Sequence, residues 1–209
     1  VGVLLGYGNG TFTAQTTFTT GTGPYSVAVG DFNNDTRLDI VVANFGDNNV
    51  GILLGNGDGT FAAQMTFSTA NNPNWIVVDD FNNDTRLDIA VTSGPDNNVG
   101  VLLGYGNGTF AAQTTFSTDK NPQSLTVGDF NNDNRLDFAV ANYGIAVVSI
   151  LLGYGNGTFA AQMTFPTGNN PQSLTVGDFN NDKRLDIAVA NFGSNTVGIL
   201  LNTCYCCAP

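Results

Sequence analysis

The chain has 209 residues, 42% hydrophobic and only 11% charged, which is enough apolar chain to bury a core and too little charge for a disordered acidic segment. Its net charge of −11 comes from 17 acidic residues against 6 basic ones, and histidine is absent. These values argue against nucleic-acid partners, which need clustered Lys and Arg, and they remove the commonest general base and transition-metal ligand. No run of about 18 apolar residues offers a membrane-inserting helix.

In chain order, the first element is "VGVLL" at Val1, followed by the glycine run "GYGNGTF" at Gly6. A strand-like run, "SVAVGDF", then leads into the acidic loop "DFNNDTRLD" at Asp31. "LDIVVAN", a turn containing "FGDNN", a second "VGILL" at Val50, "GNGDGTF" at Gly55 and "FAAQMTFST" complete the unit. The unit then repeats with a period of 49: acidic loops begin at Asp31, Asp80, Asp129 and Asp178, and glycine runs at Gly6, Gly55, Gly104 and Gly153. Val, Ile, Phe and Thr dominate the runs between turns, and none carries helical periodicity over ten residues. "NG" and "DG" mark hairpin turns, and without a following helix the glycine runs do not form a phosphate-binding loop.

Four short strands per unit, apolar on both faces, predict an all-β fold: a four-bladed β-propeller built from four 49-residue repeats of four antiparallel strands. The rival architecture is an open array or β-solenoid. The expected domain spans 1–201, with N-terminal strands completing the last blade, and 202–209 forms a Cys-rich tail. Small residues such as Ser26, Ala28 and Gly30 suit a first strand lining a narrow channel.

The units resemble the FG-GAP repeats of integrin-like propellers, and more closely the VCBS-type repeats. The resemblance rests on "VGDFNNDTRLDIVVANFG" and its three counterparts, together with the four G-x-G-x-G-T-F runs. It implies a propeller with calcium in the loop between strands one and two, in a secreted or surface protein with adhesive, recognition or structural roles. One departure stands out. The family favours glycine at loop position six, where this chain has Thr36, Thr85, Asn134 and Lys183.

The loops point to calcium independently. Asp31, Asn33, Asp35 and Asp39 occupy loop positions one, three, five and nine, and the carbonyl of Arg37 can complete an oxygen cage, as in other calcium loops. The same set recurs as Asp80, Asn82, Asp84, Arg86 and Asp88, then as Asp129, Asn131, Asp133, Arg135 and Asp137. The fourth copy is Asp178, Asn180, Asp182, Arg184 and Asp186. Two carboxylates about 4 Å apart repel by roughly 4 kcal/mol at an effective dielectric near 20, and one guanidinium cannot settle three of them. Up to four structural Ca²⁺ ions are expected, with affinities on the order of 0.1 to 1 mM, as in extracellular modules. The plainer reading is that Asp and Asn favour turns, but twelve of the 17 acidic residues lie in these loops.

Trp75 stands where the other units have Ser26, Ser124 and Ser173, as a core filler or a sugar-stacking platform. Asn9, Asn34, Asn83, Asn107 and Asn156 begin N-x-T sequons and are candidate N-glycosylation sites. No nucleophile–base pair is visible, so no enzymatic activity is expected. The third strand occurs five times against four copies of the other elements, leaving a spare strand for self-association into a homo-oligomer or a head-to-tail filament. Cys204, Cys206 and Cys207 are candidate disulfide partners, though an odd number cannot all pair within one chain. The expected function is that of an extracellular, calcium-stabilised structural or adhesive module. The alternative is a lectin-like or cell-adhesion recognition module that binds glycans or surface proteins.

Overall fold

The computed structural model describes residues 1–203, so the cysteine tail lies outside the described residues. A half-unit comes first, β1 (Gly2–Val3) paired with β2 (Thr16–Thr17). Blade I follows as β3 (Pro24–Gly30), β4 (Asp39–Asn44), β5 (Asn49–Leu53) and β6 (Met65–Ser68). Blade II contains β7 (Pro73–Asp79), β8 (Asp88–Ser93), β9 (Asn98–Leu102) and β10 (Thr114–Ser117). Blade III contains β11 (Pro122–Gly128), β12 (Asp137–Asn142), β13 (Val147–Leu151) and β14 (Met163–Pro166). Among the described residues, blade IV has three strands, β15 (Pro171–Gly177), β16 (Asp186–Asn191) and β17 (Thr196–Leu200), with a 3-10 turn at Phe192–Ser194. Each blade is an antiparallel meander.

Alternation along each strand gives a blade two apolar faces. In blade I, Val41, Ala43, Val50 and Ile52 meet Ile76, Ile89, Val91 and Leu102 of blade II. Its other face carries Ile40, Val42 and Leu53. Covering both faces explains why every residue of β4, β8 and β12 is buried. Full burial of each such aliphatic side chain contributes roughly 1.5–3 kcal/mol. The blades stack in sequence order, with the first strands adjoining as β3, β7, β11 and β15.

The stacks of blades I–II and II–III are also keyed by an aromatic ring from a glycine turn. Phe110 of blade II packs edge-on against Phe32 and Phe67 of blade I, with centroids 5.7 and 5.3 Å away. One repeat later, Phe159 packs against Phe81 and Phe116 at 6.3 and 5.2 Å. At the opposite end of the blades, Asn48 Oδ1 accepts from the N–H of Asn72 at 2.8 Å, and Asn97 Oδ1 from that of Asn121 at 2.9 Å.

The all-β repeat architecture matches the sequence expectation. The N-terminal strands, however, do not complete the last blade: β1 and β2 pair with each other, while among the described residues β17 pairs only with β16. The physical reason lies in the faces they bury. Val1, Val3 and Phe18 cover the Ile40–Val42–Leu53 face of blade I, occupying the repeat positions from which Val50, Ile52 and Phe67 cover blade II.

Candidate functional site: the repeated acidic loops

The four acidic loops connect the first and second strands of the four blades and share one hydrogen-bonding scheme. In the first, Asp31 Oδ1 accepts from Asp35 N–H at 3.0 Å and Asp31 Oδ2 from Thr36 N–H at 2.7 Å. Asn33 Oδ1 accepts from the same Asp35 N–H at 3.1 Å, so oxygens from positions one and three converge on one point. Asp35 Oδ1 accepts from Arg37 N–H at 2.9 Å, while its Oδ2 lies 3.1 Å from Asn33 Nδ2. Equivalent bonds fold the loops at Asp80, Asp129 and Asp178.

This turning requires a left-handed backbone at two places. Position four is Asn in every copy, at φ between 58° and 61°. Position six is Thr36 (φ 68°), Thr85 (67°), Asn134 (61°) and Lys183 (67°). Asn tolerates this region, whereas a β-branched Thr is strained in it. The departure noted in the sequence therefore falls where the backbone demands most.

The ninth position behaves differently from the first five. Asp39 is fully buried, and both its oxygens accept backbone N–H bonds, from Phe32 at 2.8 Å and from Gly55 at 2.8 Å. Asp88 does the same with Phe81 and Gly104, Asp137 with Phe130 and Gly153, and Asp186 with Phe179 and Asn202. Each of these carboxylates bolts the acidic loop to the turn after the third strand. Nothing in the repeat spacing distinguished this bolt from a ligand. Burial raises the pKa of Asp39, the two N–H donors oppose that shift, and repulsion from Asp35 and Asp31 adds to it. Asp137 is raised for the same reasons, and Asp88 is pushed up to about 6.

Positions one, three and five thus come together at the loop mouth, with the ninth carboxylate beneath them. Among the described residues, no three Asp side chains converge into a ready-made cage. The donor set still suits a hard cation. It is all oxygen and carries excess negative charge, and the nearest guanidinium is exposed or half-exposed, with Arg37 3.9 Å from Asp35 and Arg184 3.5 Å from Asp182. Ion pairs at such exposure contribute little.

The loops also reach the next blade. Asn34 Nδ2 donates to Gly106 O at 3.3 Å and Asn83 Nδ2 to Gly155 O at 3.1 Å, so these two sequon nitrogens are engaged. Gly108 N–H and Gly157 N–H bond to Phe32 O and Phe81 O at 2.9 and 3.0 Å. In the turn sequons the asparagine accepts instead: Asn9, Asn107 and Asn156 Oδ1 each take the Thr hydroxyl two residues on, at 2.6–2.7 Å. Trp75 is half-buried and packs against the blade II–III core.

A concavity with no signature in the repeat spacing lies elsewhere on the blades. A cavity of about 500 Å³ lies beside the first strands of blades I to III, lined by Tyr25, Phe45, Asn72, Gly94, Asn121 and Gln123 among others. Tyr25 and Phe45 stack at 5.6 Å. Where blade II has Gly94, the other blades carry Phe45, Tyr143 and Phe192, so the absence of one ring leaves the space open.

A model of the FG-GAP-like repeat matches residues 1–42, 31–91, 80–140 and 129–189. Among solved structures, the chain is similar to BBS1N from its complex with ARL6DN, at 14% identity and TM-score 0.58 over 86% of this chain and 54% of that one. It is also similar to an Agrocybe aegerita lectin that recognises non-reducing terminal N-acetylglucosamine, at 22% identity and TM-score 0.57, over 84% of this chain and 51% of that one. A third is an auxiliary nutrient-binding protein from Bacteroides ovatus, at 12% identity and TM-score 0.60, over 91% of this chain and 50% of that one. The chain therefore spans about half the length of these structures, and at such identities the likeness concerns the fold. No curated protein matches it.

Proposed function

The chain belongs to the FG-GAP-like repeat family, and on that premise we propose that it is an extracellular, calcium-stabilised structural and adhesive module rather than an enzyme. The observation that carries this reading is the fourfold oxygen cluster above a buried carboxylate bolt. Asp31, Asn33 and Asp35, with the carbonyl of Arg37, would hold the ion, and Asp39 would add its charge from beneath. The equivalent residues serve in the other three loops. Calcium here supplies charge neutralisation and no chemistry. Neutralised loops hold their Asn latches and glycine turns in place, and so fasten one blade to the next. Glycans at Asn9, Asn107 and Asn156 would be compatible with the exposed turns that carry them. The module works in more than one copy, associating through the third strand, which occurs five times against four copies of the other elements.

The test is a thermal melt of calcium-stripped protein titrated with Ca²⁺ and, separately, with Mg²⁺. Stabilisation by millimolar calcium that D31N, D80N, D129N and D178N together abolish supports the reading. A melt indifferent to calcium overturns it.

One observation favours a second reading, that of a carbohydrate-binding module. The cavity opened by Gly94 offers a stacked aromatic pair beside the amides of Asn72, Asn121 and Gln123, which suits a neutral, hydroxyl-rich ring. The lectin similarity agrees at the level of fold. A glycan array gives binding that Tyr25→Ala removes if this reading holds; a blank array rejects it.

A further inference from the structure

The fourfold repeat makes each blade a reference for the others, and blade II departs from them around one residue. After the second strand, blades I, III and IV carry the rings of Phe45, Tyr143 and Phe192, where blade II has Gly94. Pro95 follows it in place of Gly46, Gly144 and Gly193, whose N–H groups bond to the carbonyls of Thr22, Lys120 and Asn169 at 2.9–3.0 Å. Proline has no N–H to give, and the Ser93 hydroxyl donates to the equivalent carbonyl, that of Asn71, instead. Thr92 stands where the other blades have Ala43, Ala141 and Ala190, and its hydroxyl donates to Asn74 Oδ1. The backbone is thus supported by new side-chain bonds around the missing ring.

One tie between blades is not replaced. Asn72 Nδ2 of blade II donates to Phe45 O of blade I at 2.9 Å, and Asn170 Nδ2 of blade IV to Tyr143 O of blade III at 3.0 Å. Their counterpart in blade III, Asn121, makes no such bond to Gly94. Its Oδ1 faces that glycine instead, where an added Cβ would lie 2.5 Å away, and this oxygen accepts from Gln123 Nε2 at 2.9 Å. Asn121 Nδ2 and Gln123 Oε1 are left without hydrogen-bond partners among the described residues. Both residues line the cavity of about 500 Å³, opposite the stacked rings of Tyr25 and Phe45. A few open donors and acceptors beside apolar rings are what orients a ligand in such a cavity.

We propose that the Asn121–Gln123 amide pair is the specificity element of this cavity and selects a vicinal diol on a neutral sugar ring. One hydroxyl donates to Gln123 Oε1 and its neighbour accepts from Asn121 Nδ2, while the Tyr25–Phe45 pair meets the C–H face of the ring. An acetamido group answers only one of the two amides, because N–H and C=O point opposite ways across a trans amide. Among the described residues no charged side chain lines the cavity, so an acidic or amino sugar meets no counter-ion there. Releasing Asn121 from its tie gives up one bond between blades II and III and gains a donor for the ligand. This inference rests on the carbohydrate-binding reading above and deepens it, naming the chemical group that is read and the residues that read it.

The experiment uses the full chain in calcium-containing buffer, titrated with the methyl glycosides of glucose, mannose, galactose and N-acetylglucosamine and followed by NMR. At least one parent hexoside is expected to bind, and the N-acetylglucosamine glycoside more weakly than its parent. Gln123→Met keeps the side-chain length, and Asn121→Gly suits the φ of 56° at that position. Each should weaken the hexoside about five- to tenfold, the loss of one hydrogen bond, without lowering the melting temperature. Monodeoxy derivatives of the bound hexoside identify the contacts. Two adjacent positions should each weaken binding to wild type, one of them without effect in Gln123→Met and the other without effect in Asn121→Gly. If none of the glycosides binds, the inference falls together with the carbohydrate reading. Binding that Tyr25→Ala removes and neither amide variant changes overturns the inference alone. So does a preference for the N-acetylglucosamine glycoside over its parent, or a deoxy scan of wild type whose sensitive positions are not neighbours, a readout that needs no variant to fold.

Discussion

Asp88 combines two roles that conflict at neutral pH. Its oxygens satisfy the buried N–H groups of Phe81 and Gly104, yet burial and the nearby Asp84 and Asp80 push its pKa up to about 6. Asp88→Ala orphans both amides and should cost about 1–3 kcal/mol for each, measured by urea unfolding. The sign of the pH effect follows from linkage. A folded pKa above the unfolded value near 3.9 gives stability that is complete below about pH 4 and is lost as pH rises through 6. Calcium-stripped protein should therefore melt at progressively lower temperature across that window, and D88N should flatten the slope. The calcium-dependent gain should open over the same window, because the metal requires ionised carboxylates. Strain at position six gives an opposite kind of change. Thr85→Gly relieves a φ of 67° and should stabilise the chain by up to about 1 kcal/mol, net of the unfolded-state entropy of glycine.

At the scale of elements, the acidic loop and the glycine turn act as a pair. Gly104 lies so close to the chain that an added Cβ would sit on the carbonyl oxygen of Leu87, just before the Asp88 that accepts the Gly104 N–H. Gly104→Ala must push the turn away from the loop, loosening the Asp88 bolt and the Phe110 key together. A loss of about 1–3 kcal/mol is expected in denaturant unfolding, with weaker calcium stabilisation in the same variant. Gly94→Phe, at the mouth of the cavity, restores a ring that the other blades carry. It must displace the Asn121 side chain, whose Oδ1 would lie 2.5 Å from the new Cβ, and should close the cavity to any sugar.

Across the whole molecule, four loops share one ligand, so their contributions add. Calcium at ten times its dissociation constant stabilises a one-site protein by about 1.4 kcal/mol, and four independent loops by roughly 6 kcal/mol. For a chain of this size that corresponds to a rise in melting temperature of about 10 °C or more, which calorimetry with and without chelator reads directly. A rise of one quarter of this value at the same multiple of the dissociation constant would mean that a single loop binds.

Much of this was legible in the residues alone. The period of 49, the strand-and-turn grammar and the grouping of twelve aspartates in four loops follow from local chemistry, because turns, alternation and charge repulsion act over a few neighbours. The demand for a left-handed residue at loop position six was legible too, as a missing glycine. Three matters were settled only by the folded chain. Asp39 and its counterparts became bolts because Gly55 N–H, sixteen residues away, comes within 2.8 Å. The cavity exists because Gly94 faces rings and amides from two other blades. The position of β1 and β2 was decided by which apolar face they cover, since two nearly identical strand sequences, VGVLL at Val1 and VGILL at Val197, can be told apart only by the surfaces that bury them.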